Sequence, residues 1–75
     1  MDREKKRVQR LCRDFVRMEK GSILDAPAAS YKMFDLWGIK VDWHEFSEAM
    51  DAMTRTGEAA EVGQTRDGRI TYLIA

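Results

Sequence analysis

Tyr31-Lys32-Met33-Phe34-Asp35-Leu36-Trp37-Gly38-Ile39-Lys40-Val41-Asp42-Trp43-His44-Glu45 holds the end of one helix, a short break and the start of another. Gly38 follows an apolar run at the place where a helix stops, because glycine accepts the left-handed backbone that closes a last turn. Asp42, with Glu45 three residues later, has the arrangement of a capping box, in which the two side chains take orphan backbone N–H groups of the new helix. So short a connection with a glycine in it turns the chain and sets two helices at an angle.

Working outward from this break, Asp25-Ala26-Pro27 is a helix start in which Asp25 or Ala26 caps and Pro27 occupies the first turn. The second helix then runs from about Ala28 to Trp37. Ala29, Met33, Leu36 and Trp37 fall on one side of it and Phe34 and Tyr31 widen that side, which predicts a helix mostly covered by neighbours. After the break, Phe46, Ala49, Met50 and Met53 form the buried stripe of a third helix. Its opposite face presents His44, Glu48, Asp51 and Arg55, with Glu45, Ser47 and Ala52 at the edges.

Upstream, Val8, Leu11, Cys12, Phe15, Val16 and Met18 recur at helical spacing, and Gly21 supplies the stop. Two heptad-spaced basic rows, Arg3, Arg10, Arg17 and Lys6, Arg13, Lys20, lie opposite that apolar set. Ser22-Ile23-Leu24 fits a short strand. Downstream, Glu58 to Val62 and Ile70 to Ile74 read as two strands with the bend at Asp67-Gly68. A three-residue loop with Gly68 left-handed puts Ala60 and Val62 on the face of Ile70, Tyr72 and Ile74, which is the register that burial favours. Arg66 and Arg69 then flank the tip.

Seventy-five residues form one domain, spanning 1–75, that buries about 60 to 65 % of its unfolded surface. With 44 % apolar and 35 % charged residues, the composition is that of a globular chain, not a disordered one. No apolar run approaches the roughly 20 residues of a membrane span, and Met1-Asp2-Arg3-Glu4-Lys5-Lys6-Arg7 is not followed by the apolar core of a signal peptide. The expectation is an intracellular, cytoplasmic protein without a membrane partner. The single cysteine, Cys12, excludes an internal disulfide and agrees with a reducing compartment.

The net charge of zero conceals two unlike halves. Residues 1–20 carry eight Lys/Arg against four Asp/Glu, and residues 21–75 carry five against nine. The molecule is therefore a dipole, and whatever touches its first helix is expected to be anionic.

Catalysis has little to stand on. There is one histidine, one cysteine, no glycine-rich phosphate loop and no metal-ligand spacing. His44 and Glu48, four residues apart, read as a surface contact, and Cys12 among Val8, Leu11 and Phe15 reads as a small hydrophobe. The expectation is a binding protein with no enzyme activity, cofactor or metal.

The run from Tyr31 to Ile39, the capped segment Asp42 to Met53 and the Asp67-Gly68-Arg69 hairpin together resemble the winged helix-turn-helix superfamily over nearly the whole chain. The resemblance implies an α+β fold, three helices packed on a short antiparallel β-hairpin wing. It also implies that the third helix enters the major groove of DNA, that the wing touches backbone or minor groove, and that the protein acts as a dimeric transcriptional regulator. Carried over, the groove-facing positions are His44, Ser47, Glu48, Asp51 and Arg55, with Arg66 and Arg69 on the wing.

The charge of the third helix departs from that pattern. Asp42 to Thr54 holds four acidic residues and no Lys or Arg, so insertion beside phosphates meets repulsion. Two functional classes follow. In the first, a small, dimeric DNA-binding regulator is anchored to double-stranded DNA by Arg10, Arg13 and Arg17 or by Arg66 and Arg69, with His44, Ser47 and Arg55 supplying the contacts from helix three. In the second, the domain is a protein-interaction module, adaptor or inhibitor, whose Glu45, Glu48 and Asp51 dock on a basic partner or whose first helix docks on an acidic one.

Overall fold

A computed structural model describes residues 2–75. In chain order the elements are α1 (Asp2–Met18), β1 (Ile23–Leu24), α2 (Ala26–Trp37), α3 (Trp43–Arg55), β2 (Ala59–Gln64) and β3 (Ile70–Ile74). The strands form one antiparallel sheet in the order β1-β3-β2. Three helices on a small sheet whose β2–β3 hairpin projects as a wing make this an α+β fold with the winged-helix layout.

Each junction is held by groups of the local sequence. At the exit of α1, Gly21 (φ 87°) donates its N–H to the Ile74 carbonyl at 2.7 Å and Ser22 accepts from Ile74 N–H at 3.0 Å, tying α1 to β3. Asp25 caps α2, its Oδ1 accepting from Ala28 N–H at 2.8 Å, with Pro27 in the first turn. The helix begins at Ala26, two residues before the expected start, because the Asp25 cap leaves Pro27 inside the first turn. Gly38 ends it with φ 69° and donates to the Phe34 carbonyl at 2.9 Å. The Ser30 hydroxyl then donates to the Val41 carbonyl and holds the connection against α2.

Asp42 caps α3 by accepting from His44 N–H at 2.9 Å. Glu45, expected to complete a capping box, turns away instead. Its carboxylate accepts from the Gln9 amide of α1 at 2.8 Å, and the same amide donates to its carbonyl at 3.0 Å.

The core draws Cys12, Phe15 and Val16 from α1, Ala26, Ala29 and Met33 from α2, and Phe46, Ala49, Met50 and Met53 from α3. Leu24, Ala59, Tyr72 and Ile74 close it from the sheet. Phe15 stands edge-on to Trp37 with ring centres 5.0 Å apart and to Phe46 at 6.1 Å, the geometry that aromatic quadrupoles favour.

Three further sequence expectations are corrected. The tip of the wing is as expected: Thr65 N–H donates to the Arg69 carbonyl at 2.8 Å, and Gly68, with φ 85°, donates to Thr65 at 3.0 Å. Below the tip, however, the pairs run Gly63↔Thr71 and then Glu61↔Tyr72, so Val62 is a second bulge. That extra residue flips the lower half of the strand. Ala59, opposite Ile74, is buried, and Ala60 and Val62 are exposed.

The second correction concerns α2, which is covered on one side only. Tyr31, Phe34 and Leu36 stand 77 %, 54 % and 60 % exposed. The third is Met18, which lies at the last turn of α1 beyond the reach of the core and is exposed.

Candidate functional site

Three surfaces carry the residues that the sequence singles out. The first is the outward face of α1. Its apolar side is spent on the core, so helical spacing turns Arg3, Lys6, Arg10 and Arg17 outward, and all four are exposed, with Arg13 half-buried at the flank and Lys20 exposed in the turn just past the helix end. Arg17 is committed: its Nε donates to Glu58 Oε2 at 2.9 Å and its Nη1 to Asp14 Oδ1 at 3.2 Å. The guanidinium holds the Glu58 carboxyl below the usual carboxylate range, chiefly through that hydrogen bond. Arg10 and Arg13 form no ion pair among the described residues.

The second surface is the outward face of α3, where His44, Glu48 and Arg55 are exposed and Ser47 and Asp51 half-buried. Every carboxylate from Asp42 onward on this element has a donor within the chain. Asp42 takes His44 N–H and, at 2.7 Å, the His44 ring Nδ1; the backbone bond is the larger cause of its lowered pKa. Glu45 takes Gln9 at 2.8 Å, Glu48 takes Lys5 Nζ at 3.3 Å, and Asp51 takes the Tyr72 hydroxyl at 2.8 Å. Among the described residues the groups left uncommitted are His44 Nε2, the Ser47 hydroxyl and Arg55, and the Trp43 ring stacks on His44 with ring centres 3.8 Å apart.

The third surface is the wing. Arg69 folds back: it donates to Asp67 Oδ2 at 2.8 Å and lies 3.7 Å from Asp25 Oδ2, the α2 cap. Arg66 at the tip is exposed and forms no ion pair among the described residues. Of the two wing arginines, one is tied to the body and one is presented.

Lys5, Gln9 and the Tyr72 hydroxyl, which engage the acidic helix, were not anticipated from the sequence. Lys5 and Gln9 extend the line of Cys12 and Val16 toward the N-terminus at helical spacing, so the signal was there in the continuation of the apolar stripe by polar residues. The Tyr72–Asp51 contact joins residues 21 positions apart, and no local pattern links them.

Cys12 is fully buried, and burial, then the Glu45 charge, push its thiol up to about 12, away from the nucleophilic thiolate. Among the described residues no group of three His, Cys, Asp or Glu side chains could hold a metal ion, and no helix is long and apolar enough to cross a membrane. No protein-family model, curated protein or solved structure matches the chain.

Proposed function

We propose that this domain binds double-stranded DNA, as a small regulator whose principal contacts are to phosphates. Arg10 and Arg13 on α1 and Arg66 at the wing tip supply the anchoring charge, and His44, Ser47 and Arg55 supply what α3 adds. One observation carries this proposal: each carboxylate of the acidic helix is occupied by a donor of the same chain, Glu48 by the cation Lys5. Lys5 offsets the charge of Glu48, while Asp42, Glu45 and Asp51 keep theirs against backbone, amide and hydroxyl donors, so three uncompensated carboxylates face phosphates in place of four. From Arg3 to Arg17 the exposed cations of α1 extend over about 21 Å, some six base pairs of duplex.

The test is a titration of labelled random-sequence duplex across salt. The expected result is a dissociation constant in the range of about 1 to 100 µM that weakens steeply as salt rises. Replacing Arg10 and Arg13 together by glutamine should reduce the salt slope by up to about 2. No binding at about 50 mM salt would sink the proposal.

A second function is favoured by the inward fold of Arg69, which leaves the wing one free arginine. In that case the basic face of α1 docks on an acidic protein surface and duplex DNA does not compete for it. Glu45 and Asp51 are poor anchors for a basic partner, since each is half-buried and already bonded.

A further inference from the structure

The solvent-facing side of α2 and the start of α3 leave Tyr31, Phe34 and Trp43 exposed. Pro27, Tyr31 and Phe34, spaced i, i+4 and i+7, line one helix flank, and Trp43 from the start of α3 and Lys40 from the connection complete a groove of about 300 Å³. A single exposed Leu is ordinary on a monomer. Tyr31, Phe34 and Trp43 side by side are a contiguous apolar patch of the kind that marks an interaction site.

The charges around this patch say what covers it. The bond from Ser30 to the Val41 carbonyl brings Lys40 to one flank of the Pro27-Tyr31-Phe34 line. Asp35, four residues after Tyr31, lies on the other flank by helical spacing. Both are exposed, and neither forms an ion pair among the described residues. The face thus carries its own electrostatic complement: one acid, one base and an aromatic centre between them.

We infer that the occupant is a second copy of this chain, the two α2 helices crossing about a two-fold axis that passes between Tyr31 and Phe34. Such an axis brings Asp35 of each copy toward Lys40 of the other, giving two equivalent ion pairs around interdigitated aromatic rings. This is the self-complementary arrangement that a closed dimer requires. Exposed Ala28 and half-buried Ser30 beside the line are small enough for the helices to approach. The contact uses neither the basic face of α1 nor the wing, and it meets the α3 surface only at Trp43, which stacks on His44.

Sedimentation of the whole chain over a range of concentration tests it. The expected species is twice the chain mass of 8.7 kDa. Tyr31→Glu should weaken association at least about tenfold, as loss of a central aromatic anchor does, while circular dichroism stays unchanged because the side chain is exposed. Asp35→Lys alone and Lys40→Asp alone each place like charges opposite one another and should both be monomeric. Mixed together they should restore the dimer, since in the mixed pair both contacts become attractive. A wild-type chain that stays monomeric throughout would overturn the inference and leave the groove to a different protein. A dimer that ignores Tyr31→Glu, or charge variants that fail to recover on mixing, would overturn this interface.

Discussion

The Tyr72 hydroxyl donates to Asp51 Oδ1 at 2.8 Å, and this one bond joins the central strand β3 to the outer flank of α3. Tyr72 is buried and Asp51 half-buried, so the phenol has no comparable alternative partner in the folded state. Tyr72→Phe removes the donor without leaving a hole and should cost about 1 kcal/mol in urea unfolding, with the m-value unchanged. Burial, and then the hydrogen bond to Asp51, push the Tyr72 phenol above its usual range. Its folded pKa lies above the unfolded one, so its contribution is complete below pH about 10 and is lost as pH rises beyond it. Stability of the wild type should therefore fall more steeply than that of Tyr72→Phe above pH 10. Parallel slopes for the two proteins would show that the phenol is not neutral and bonded in the fold.

Cys12 offers an internal clock for opening of the α1 seam. Its side chain is fully buried, and its thiol is pushed up from 9.0 to about 12. At pH 8 an alkylating reagent should react only through the unfolded population, at a rate that rises with urea in step with loss of helix. Labelling at the rate of a free thiol in native buffer would mean that α1 is detached from the rest.

Ala59 and Ala60 are neighbours with opposite fates. Ala59 is 4 % exposed and faces Ile74, whereas Ala60 points out opposite Leu73. Ala59→Asp should destabilise by at least about 3 kcal/mol, a large share of the stability of a domain of this size. Ala60→Asp should cost about 1 kcal/mol or less. The opposite order, by thermal melts of the two variants, would restore the unbulged register.

That pair also marks where the sequence ceased to be legible. Periodicity and caps located all three helices, and the left-handed glycine located the wing tip, because those signals are local: Gly38, Asp42 and Gly68 act on their own backbone. The Val62 bulge is set by which of two faces buries better against α3, a competition that no residue of β2 announces. The open side of α2 was missed for a related reason. Tyr31 and Phe34 have the chemistry of a core, but among the described residues no further helix covers them. On the candidate surfaces, the basic face of α1 was readable from heptad spacing. The partners of the acidic helix were not, since Lys5–Glu48 and Gln9–Glu45 join residues 43 and 36 positions apart.

The same long-range pair decides how α3 meets an anionic partner. Lys5 and Glu48 are each more than half exposed, so their bond contributes at most about 0.5 kcal/mol to folding, and breaking it is a nearly pure electrostatic change. If α3 lies beside phosphates, Glu48→Gln removes a negative charge and releases Lys5 toward the duplex. Non-specific affinity should rise several-fold at low salt, and the salt slope should steepen by up to about 1. Lys5→Gln should do the reverse, leaving Glu48 bare against the backbone. The double variant has the net charge of the wild type and should bind much as it does, which separates this effect from any loss of structure. Affinity that stays flat across all three variants, in a protein that still binds duplex, would place α3 away from the DNA and leave α1 and the wing as the only contacts.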